Sequence, residues 1–492
     1  MIRVPPERDR LEGEGGAREQ YGLSVLLDAS RLLPVDDQAA DVVRLVLRDP
    51  AADRHDSFDG FVRGTWNLER SDGAVGVSRA LLRHVAELAG GAAEFGAVSG
   101  NHTPRVPPDA NPLVRADRFR EPVVSRLGVA LRNAAVAVAG RRPIRLLAPW
   151  PQGRRWAAAF THDLDIVAWW PLFTLLRLVE LTRHRAPGRA LRALAAAVGS
   201  LLRNPIWAGV HQLLALEAGA GVRSTWFVLC GTPTLATLRA GDLTYLPESR
   251  AARRILEAVG QGGHEIGLHG SFATLVDAAE FAAQRHRLAA LIGRTPAGVR
   301  QHFLRLRPGA TQRAMATAGF SYDATLGFHD RNGFRLGAAD IVPGWDPSGE
   351  TPLPVDEVPL IWMDRALSKY ARVEDPAAWV EDALELARVC REVEGLWVGL
   401  WHPNLTPALG YPGAPEAYRH LVQTIVAERP YVGSLTEIVQ WRTARRSVRA
   451  AAVSPEGTVR LVASRSAAVP LALEGSDGKA VETHPWPAVH GG

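Results

Sequence analysis

Lysine is almost missing from this chain. Only Lys369 and Lys479 occur, although Lys and Arg together number 57 in 492 residues, so the formal charge of +5 is carried by arginine. Those arginines alternate with acids, as in Arg391-Glu392-Val393-Glu394. They form no basic stripe of the kind that a phosphate backbone selects, which argues against a nucleic-acid partner. Cysteine is equally rare: Cys230 and Cys390 stand alone and far apart. That excludes a disulfide framework and a cysteine-rich zinc site, and it fits a reducing compartment. No apolar core occupies the start, Met1-Ile2-Arg3-Val4-Pro5-Pro6-Glu7-Arg8-Asp9-Arg10. No secretory signal is read there, and the expected location is cytoplasmic. The most apolar window, Ile166 to Leu181, falls short of the ~20 residues that a spanning helix needs. Pro171, Arg177 and Glu180 interrupt it further. It reads as a buried amphipathic helix, with peripheral contact to a membrane surface as the alternative.

What is present is an ordinary globular composition, 47% hydrophobic and 22% charged, in a chain long enough for two or three domains. Residues 1–150 mix short helical and strand-like pieces and are read as an N-terminal α/β domain of unknown role. They carry no chemical motif; Asn101-His102-Thr103 fits a glycosylation acceptor but is read as chance. Over 151–445 short apolar runs alternate with helical patterns, which points to repeated β/α units and a parallel barrel. Strands are expected at Trp156–Phe160, Arg223–Leu229, Glu265–Leu268, Gly298–His302, Tyr322–Leu326 and Leu396–Trp401. Helices are expected at Arg250–Val259, Ala278–Ile292, Thr311–Ala318, Pro376–Val393 and Pro415–Ala427, with a helical insertion near 170–208. Residues 446–492 read as a small β-rich appendage and a loose tail.

In a parallel barrel the reacting groups come from the carboxyl ends of strands, where the loops converge. Four apolar runs here close on such groups. Trp156–Phe160 leads into Thr161-His162-Asp163-Leu164-Asp165, whose two carboxylates lie two positions apart and face one way on an extended chain. Such a pair suits one cation ligand beside one general base; capping of the next helix is the plainer reading. In His264-Glu265-Ile266-Gly267-Leu268-His269 the odd spacing sends the two imidazoles to opposite faces. His269, at the end of the run, is the candidate ligand, and His264 the structural one. Gly298-Val299-Arg300-Gln301-His302 places Arg300 and His302 on one face, with Arg300 able to hold a base at Asp163 ionised. Leu396–Trp401 ends on His402, an imidazole able to donate a proton near neutral pH.

These four endings resemble the motifs of the polysaccharide deacetylase family, in a divergent branch, over roughly 150–445. The resemblance implies a distorted β/α barrel of seven or eight strands. It makes Asp163 the catalytic base, Asp165 and His269 ligands of a divalent metal, Arg300 the partner of the base, and His402 the general acid. Two departures stand out. Ala273 occupies the place of the family's usual second histidine ligand, and His302 stands where the family generally has Pro. A compensating pair would make His302 the third protein ligand; Ser271, Thr274 or an altered metal could serve instead. The implied activity is hydrolysis of a carbon–nitrogen (non-peptide) bond: removal of an acetyl group, N-acetyl before O-acetyl, from a carbohydrate or sugar-containing small molecule. Zinc is the metal expected by ligand type. Trp169, Trp170 and Trp401 could present ring faces to sugars or pack in the core, and Asn404 could bind substrate or cap a turn. Two rivals remain on sequence grounds: another hydrolase of non-peptide C–N bonds, such as that of a cyclic amide, and a carbohydrate-binding module that has lost its metal.

Overall fold

Ten strands of one sheet carry the middle of the chain. In chain order they are β1 (Ala157–Leu164), β2 (Thr225–Leu229), β3 (Glu265–Gly270), β4 (Gly298–Gln301), β5 (Tyr322–Asp323), β6 (Val342–Asp346), β7 (Thr351–Glu357), β8 (Trp362–Met363), β9 (Leu396–Leu400) and β10 (Tyr431–Val432). The computed structural model describes residues 1–4, 16–35, 42–50, 56–97, 105–140, 144–168, 170–183, 187–199, 204–453 and 459–486. The sheet runs β6-β7-β5-β4-β3-β2-β1-β9-β8, with β10 also alongside β1. Every ladder is parallel except the β6–β7 hairpin. Among the described residues no ladder joins β8 to β6. The sheet is therefore curled and open, where a barrel of seven or eight strands was expected.

Local chemistry explains why these pieces form. All eight residues of β1 are buried, as a strand covered on both faces requires. The helix Ala278–Ile292 has the bounds expected from its pattern: Asp277 accepts from the backbone N–H of Ala279 and Glu280 at 2.9 and 3.0 Å. It ends where Gly293 turns left-handed at φ 72°. Two helices, Trp170–Arg183 and Pro187–Gly199, fall in the stretch 170–208 expected to be a helical insertion, and a third, Pro205–Gly219, begins there and runs past it. The β6–β7 hairpin had no expectation attached to it.

The two flanking regions are joined. Arg449–Val453 pairs in parallel with Pro34–Val35 and antiparallel with Val459–Val462, which makes both C-terminal strands part of the N-terminal sheet. Leu471–Glu474 pairs with Leu146–Leu147. This differs from a separate appendage, and the reason is that so short a segment cannot build a core of its own. The N-terminal layer also shares one apolar cluster with the main sheet region through Leu306, Leu326, Val342 and Trp345. Tyr21 stacks on Trp345 at 4.6 Å and donates its hydroxyl to Pro343 O at 2.8 Å. Asn101-His102-Thr103 lies outside the described residues. No helix among those described is long and apolar enough to cross a membrane.

Candidate active site

At the carboxyl end of β1, residues 161, 163 and 165 follow the alternation of the strand, and Asp163 and Asp165 both line one cavity. Thr161 accepts from Arg300 Nη1 at 3.0 Å. His162 points the other way, into the core, with Nδ1 against Trp401 O at 2.7 Å and Nε2 against Glu217 at 2.8 Å. The neighbouring strands bring the remaining groups in register: Arg300 of β4 lies opposite His269 of β3. Arg300 donates to Asp163 Oδ1 at 2.8 Å and to Ala324 O at 3.0 Å, and its guanidinium lies 4.4 Å from the Phe227 ring centre. Burial alone would raise the Asp163 carboxyl, but Arg300, with His269 and His402, holds it below the usual carboxylate range.

Asp165 is the hub of the site. His269 Nε2 lies 3.5 Å and His302 Nε2 3.6 Å from its Oδ1, and His402 Nε2 lies 3.6 Å from its Oδ2. His269 Nε2 is also 3.6 Å from Asp163 Oδ2. Burial would push the Asp165 carboxyl up; the imidazoles around it override that and hold it far below its ordinary value. Its Oδ1 is nonetheless buried without a hydrogen-bond partner, a costly state unless something positive occupies the gap.

The residues present fit a divalent cation. One ligand atom each from Asp165, His269 and His302 lies within 4.8 Å of the other two. Nitrogen and oxygen donors at ~2.0–2.1 Å around a tetrahedral ion sit about 3.3 Å apart, close to the observed separations. The far side of each ring is tied down as a ligating histidine requires: His269 Nδ1 faces Arg300 O at 2.8 Å, and His302 Nδ1 faces Asp242 Oδ1 at 3.1 Å. Ser271 and Thr274, the other candidates for a third ligand, are engaged elsewhere. Ser271 Oγ accepts from Gln284 at 2.6 Å, and Thr274 Oγ1 donates to Ser271 O at 2.8 Å. Phe303 and Leu304 adopt φ of 60° and 52°, so the backbone turns sharply just after His302. The Phe303 ring stacks on His302 at 4.1 Å, and its carbonyl accepts from Arg105 Nε at 2.7 Å.

His402 stands apart from this triad. Asp364 grips both its Nδ1 and its backbone N–H, which leaves Nε2 facing the cavity. Burial would lower its pKa, and the Asp364 carboxylate raises it above the usual value. The cavity, about 350 Å³, has Asp163, Asp165, His269, His302 and His402 at one end and Arg105, Lys369, Tyr370, Arg365 and Tyr411 among its walls. Asn404 lines it too, its Oδ1 accepting from Arg365 at 3.2 Å.

Trp401 does not. It is 3% exposed and packs against Trp362, Trp379 and Tyr418, so it presents no ring face to the cavity. The alternation that sends His402 inward sends its neighbour outward. Trp169 and the side chain of Trp170 lie outside the described residues. His264 is structural as expected, accepting at Nδ1 from Ser224 N at 3.0 Å. Sequence reasoning missed Asp242, Asp364, Arg365 and Thr161. Asp364 carried a readable signal, since it closes the apolar run Val358–Met363 just as the other site residues close theirs, and Thr161 shares the strand parity of Asp163 and Asp165.

No protein-family model matches this chain, and no curated protein does. Solved structures do. The Puue allantoinase matches at 15% identity and TM-score 0.40, over 60% of this chain and 92% of its own. A probable polysaccharide deacetylase from Pseudomonas aeruginosa matches at 17% identity and TM-score 0.39, over 60% and 93%. The chitin deacetylase of the fungal pathogen Colletotrichum lindemuthianum matches at 13% identity and TM-score 0.31, over 63% and 93%.

Proposed function

We propose that this chain is a metal-dependent hydrolase that removes an acetyl group, N-acetyl in the first instance, from a carbohydrate or sugar-containing molecule. The observation that carries the reading is the unsatisfied, buried Asp165 Oδ1 with the Nε2 atoms of His269 and His302 turned toward it. Asp165, His269 and His302 would hold the ion, zinc by donor type. Such an ion supplies Lewis acidity toward a carbonyl and makes water a nucleophile near neutral pH.

The chain's own groups account for the proton movements. Asp163, kept ionised by Arg300, takes the proton of the attacking water as general base. The same ion pair fixes the direction of its free oxygen. His402, oriented by Asp364, delivers a proton to the departing amine, which is a poor leaving group while unprotonated. A module that only binds sugar has no use for an acid and a base lining the same cavity as a ligand set.

The test is elemental analysis of the purified chain together with acetate release from a panel of N- and O-acetylated sugars, using Asp165→Ala alongside. The expected result is close to one equivalent of metal and acetate release, both lost in the variant. A chain that takes up no divalent metal and releases no acetate overturns the proposal.

A further inference from the structure

Two helices of the insertion carry apolar stripes on their exposed faces. Leu172, Leu175 and Val179 form one stripe of the helix Trp170–Arg183, and Leu191, Leu194 and Val198 one stripe of Pro187–Gly199; these six are 44% to 69% exposed. The faces turned inward carry Leu181, which is fully buried, together with smaller or polar groups. Thr174 donates to Ala408 O at 2.9 Å, Arg177 pairs with Glu374 at 3.0 Å, and Ala193 and Ala197 are buried. A helix that faces only water shows the reverse arrangement. On the connection after β2, Leu235 and Leu238 of the short helix Leu235–Arg239 are also exposed, at 66% and 50%.

This apolar platform is continuous with the active-site cavity. Phe173, Leu176 and Arg177 of the first helix line the cavity. Both helices pack against the turn Pro407–Leu409 that follows Asn404. Exposed cations flank the leucines: Arg183, Arg192 and Arg239. Lys369 stands exposed at the cavity wall.

We infer that these two helices seat the protein on an anionic lipid surface, so that the cavity opens at the membrane–water interface onto an amphiphilic, lipid-anchored acetylated sugar. Stripes of Leu and Val with arginine at their borders are the chemistry of a helix lying in an interface: apolar groups enter the acyl boundary while guanidinium groups meet anionic headgroups. The charge selects this occupant over a neutral one, because the border cations gain from negative lipid. A second copy of the chain would instead set those same cations against one another. The substrate class rests on the hydrolase reading above; the docking does not.

Sedimentation of the full chain with phosphatidylcholine vesicles, with and without phosphatidylglycerol, tests this. The wild-type chain is expected to pellet with the phosphatidylglycerol vesicles, less with phosphatidylcholine alone, and less again as salt is raised. The variant Leu175→Ser/Leu191→Ser/Leu194→Ser/Val198→Ser is expected to lose about tenfold or more in partitioning. None of these positions lines the cavity, so its thermal melting and its acetate release from a soluble sugar are expected to stay unchanged. The variant Arg183→Gln/Arg192→Gln/Arg239→Gln is expected to lose the preference for anionic vesicles. Wild-type protein that stays in the supernatant with every vesicle overturns the inference. So does a wild-type dimer that the serine variant converts to monomer with no vesicle binding at any stage. Vesicle binding without acetate release from any substrate would instead remove the hydrolase reading and the substrate class, leaving the docking in place.

Discussion

Asp364 holds His402 from two sides: its Oδ1 meets the imidazole Nδ1 at 2.7 Å while its Oδ2 accepts the backbone N–H of the same residue at 2.5 Å. One carboxylate thereby sets both the rotamer of the ring and the position of the loop that carries it, leaving Nε2 directed at the cavity.

Asp364→Asn is therefore expected to lower kcat on the order of a hundredfold, with substrate KM changed little. The sign of the pH effect follows from the environment. Burial depresses the His402 pKa and Asp364 raises it, so removing the carboxylate lowers it. A general acid works only while protonated, so the alkaline limb of the kcat profile should move to lower pH. An unshifted limb would remove His402 as the acid.

Arg300 has the opposite influence on Asp163. Its guanidinium holds a buried carboxyl ionised, and in Arg300→Gln burial would act unopposed by that charge. The acid limb of the kcat/KM profile is expected to move to higher pH, with a rate loss of about a hundredfold at neutral pH. Arg300→Lys should not rescue it, since an ammonium cannot reach Asp163, Thr161 and Ala324 O together as the fork does.

Metal content separates the ligands from their supports. His302→Ala is expected to abolish stoichiometric metal binding, whereas Asp242→Asn should weaken it by about 10- to 100-fold, since Asp242 only orients the ring. Atomic absorption after dialysis against graded chelator reads both. Full metal content in His302→Ala would dismiss the third-ligand assignment.

A separate prediction concerns the joint between the N-terminal layer and the C-terminal helix. Asp28 meets Arg445 at 2.6 Å and Arg442 and Arg446 each at 3.2 Å, all largely buried. Asp28→Ala would leave that positive charge under-compensated, and a loss of about 3–5 kcal/mol in a urea titration is expected. Burial would raise the Asp28 carboxyl, and the three guanidinium groups pull it far below its ordinary value. A depressed carboxylate stabilises the fold above the unfolded-state pKa, and that contribution is lost as pH falls through the folded value. Wild-type stability should therefore decline below about pH 4, and the variant should decline less.

Much of the site could be read along the chain because its residues close apolar runs. Asp163, Asp165, His269, Arg300, His302 and His402 all follow or end buried strands whose composition announces them, and parity along the strand separates His269 from His264. The same parity, applied to adjacent Trp401 and His402, would have placed Trp401 in the core. Asp242 was out of reach, since it sits in the irregular stretch Gly241-Asp242 with no period to mark it.

What the sequence alone determined are the properties that depend on near neighbours: strand and helix periods, the Asp277 and Gly293 ends of a helix, and which side chains leave a strand together. Tertiary structure decided the rest. Arg449–Val453 joins Pro34–Val35 across most of the chain, Asp364 is brought against His402, and leucines that read as a core helix are turned outward. Backbone hydrogen bonds and apolar contacts carry no label for their partner, so pairings between distant segments are settled only when the whole chain competes for them.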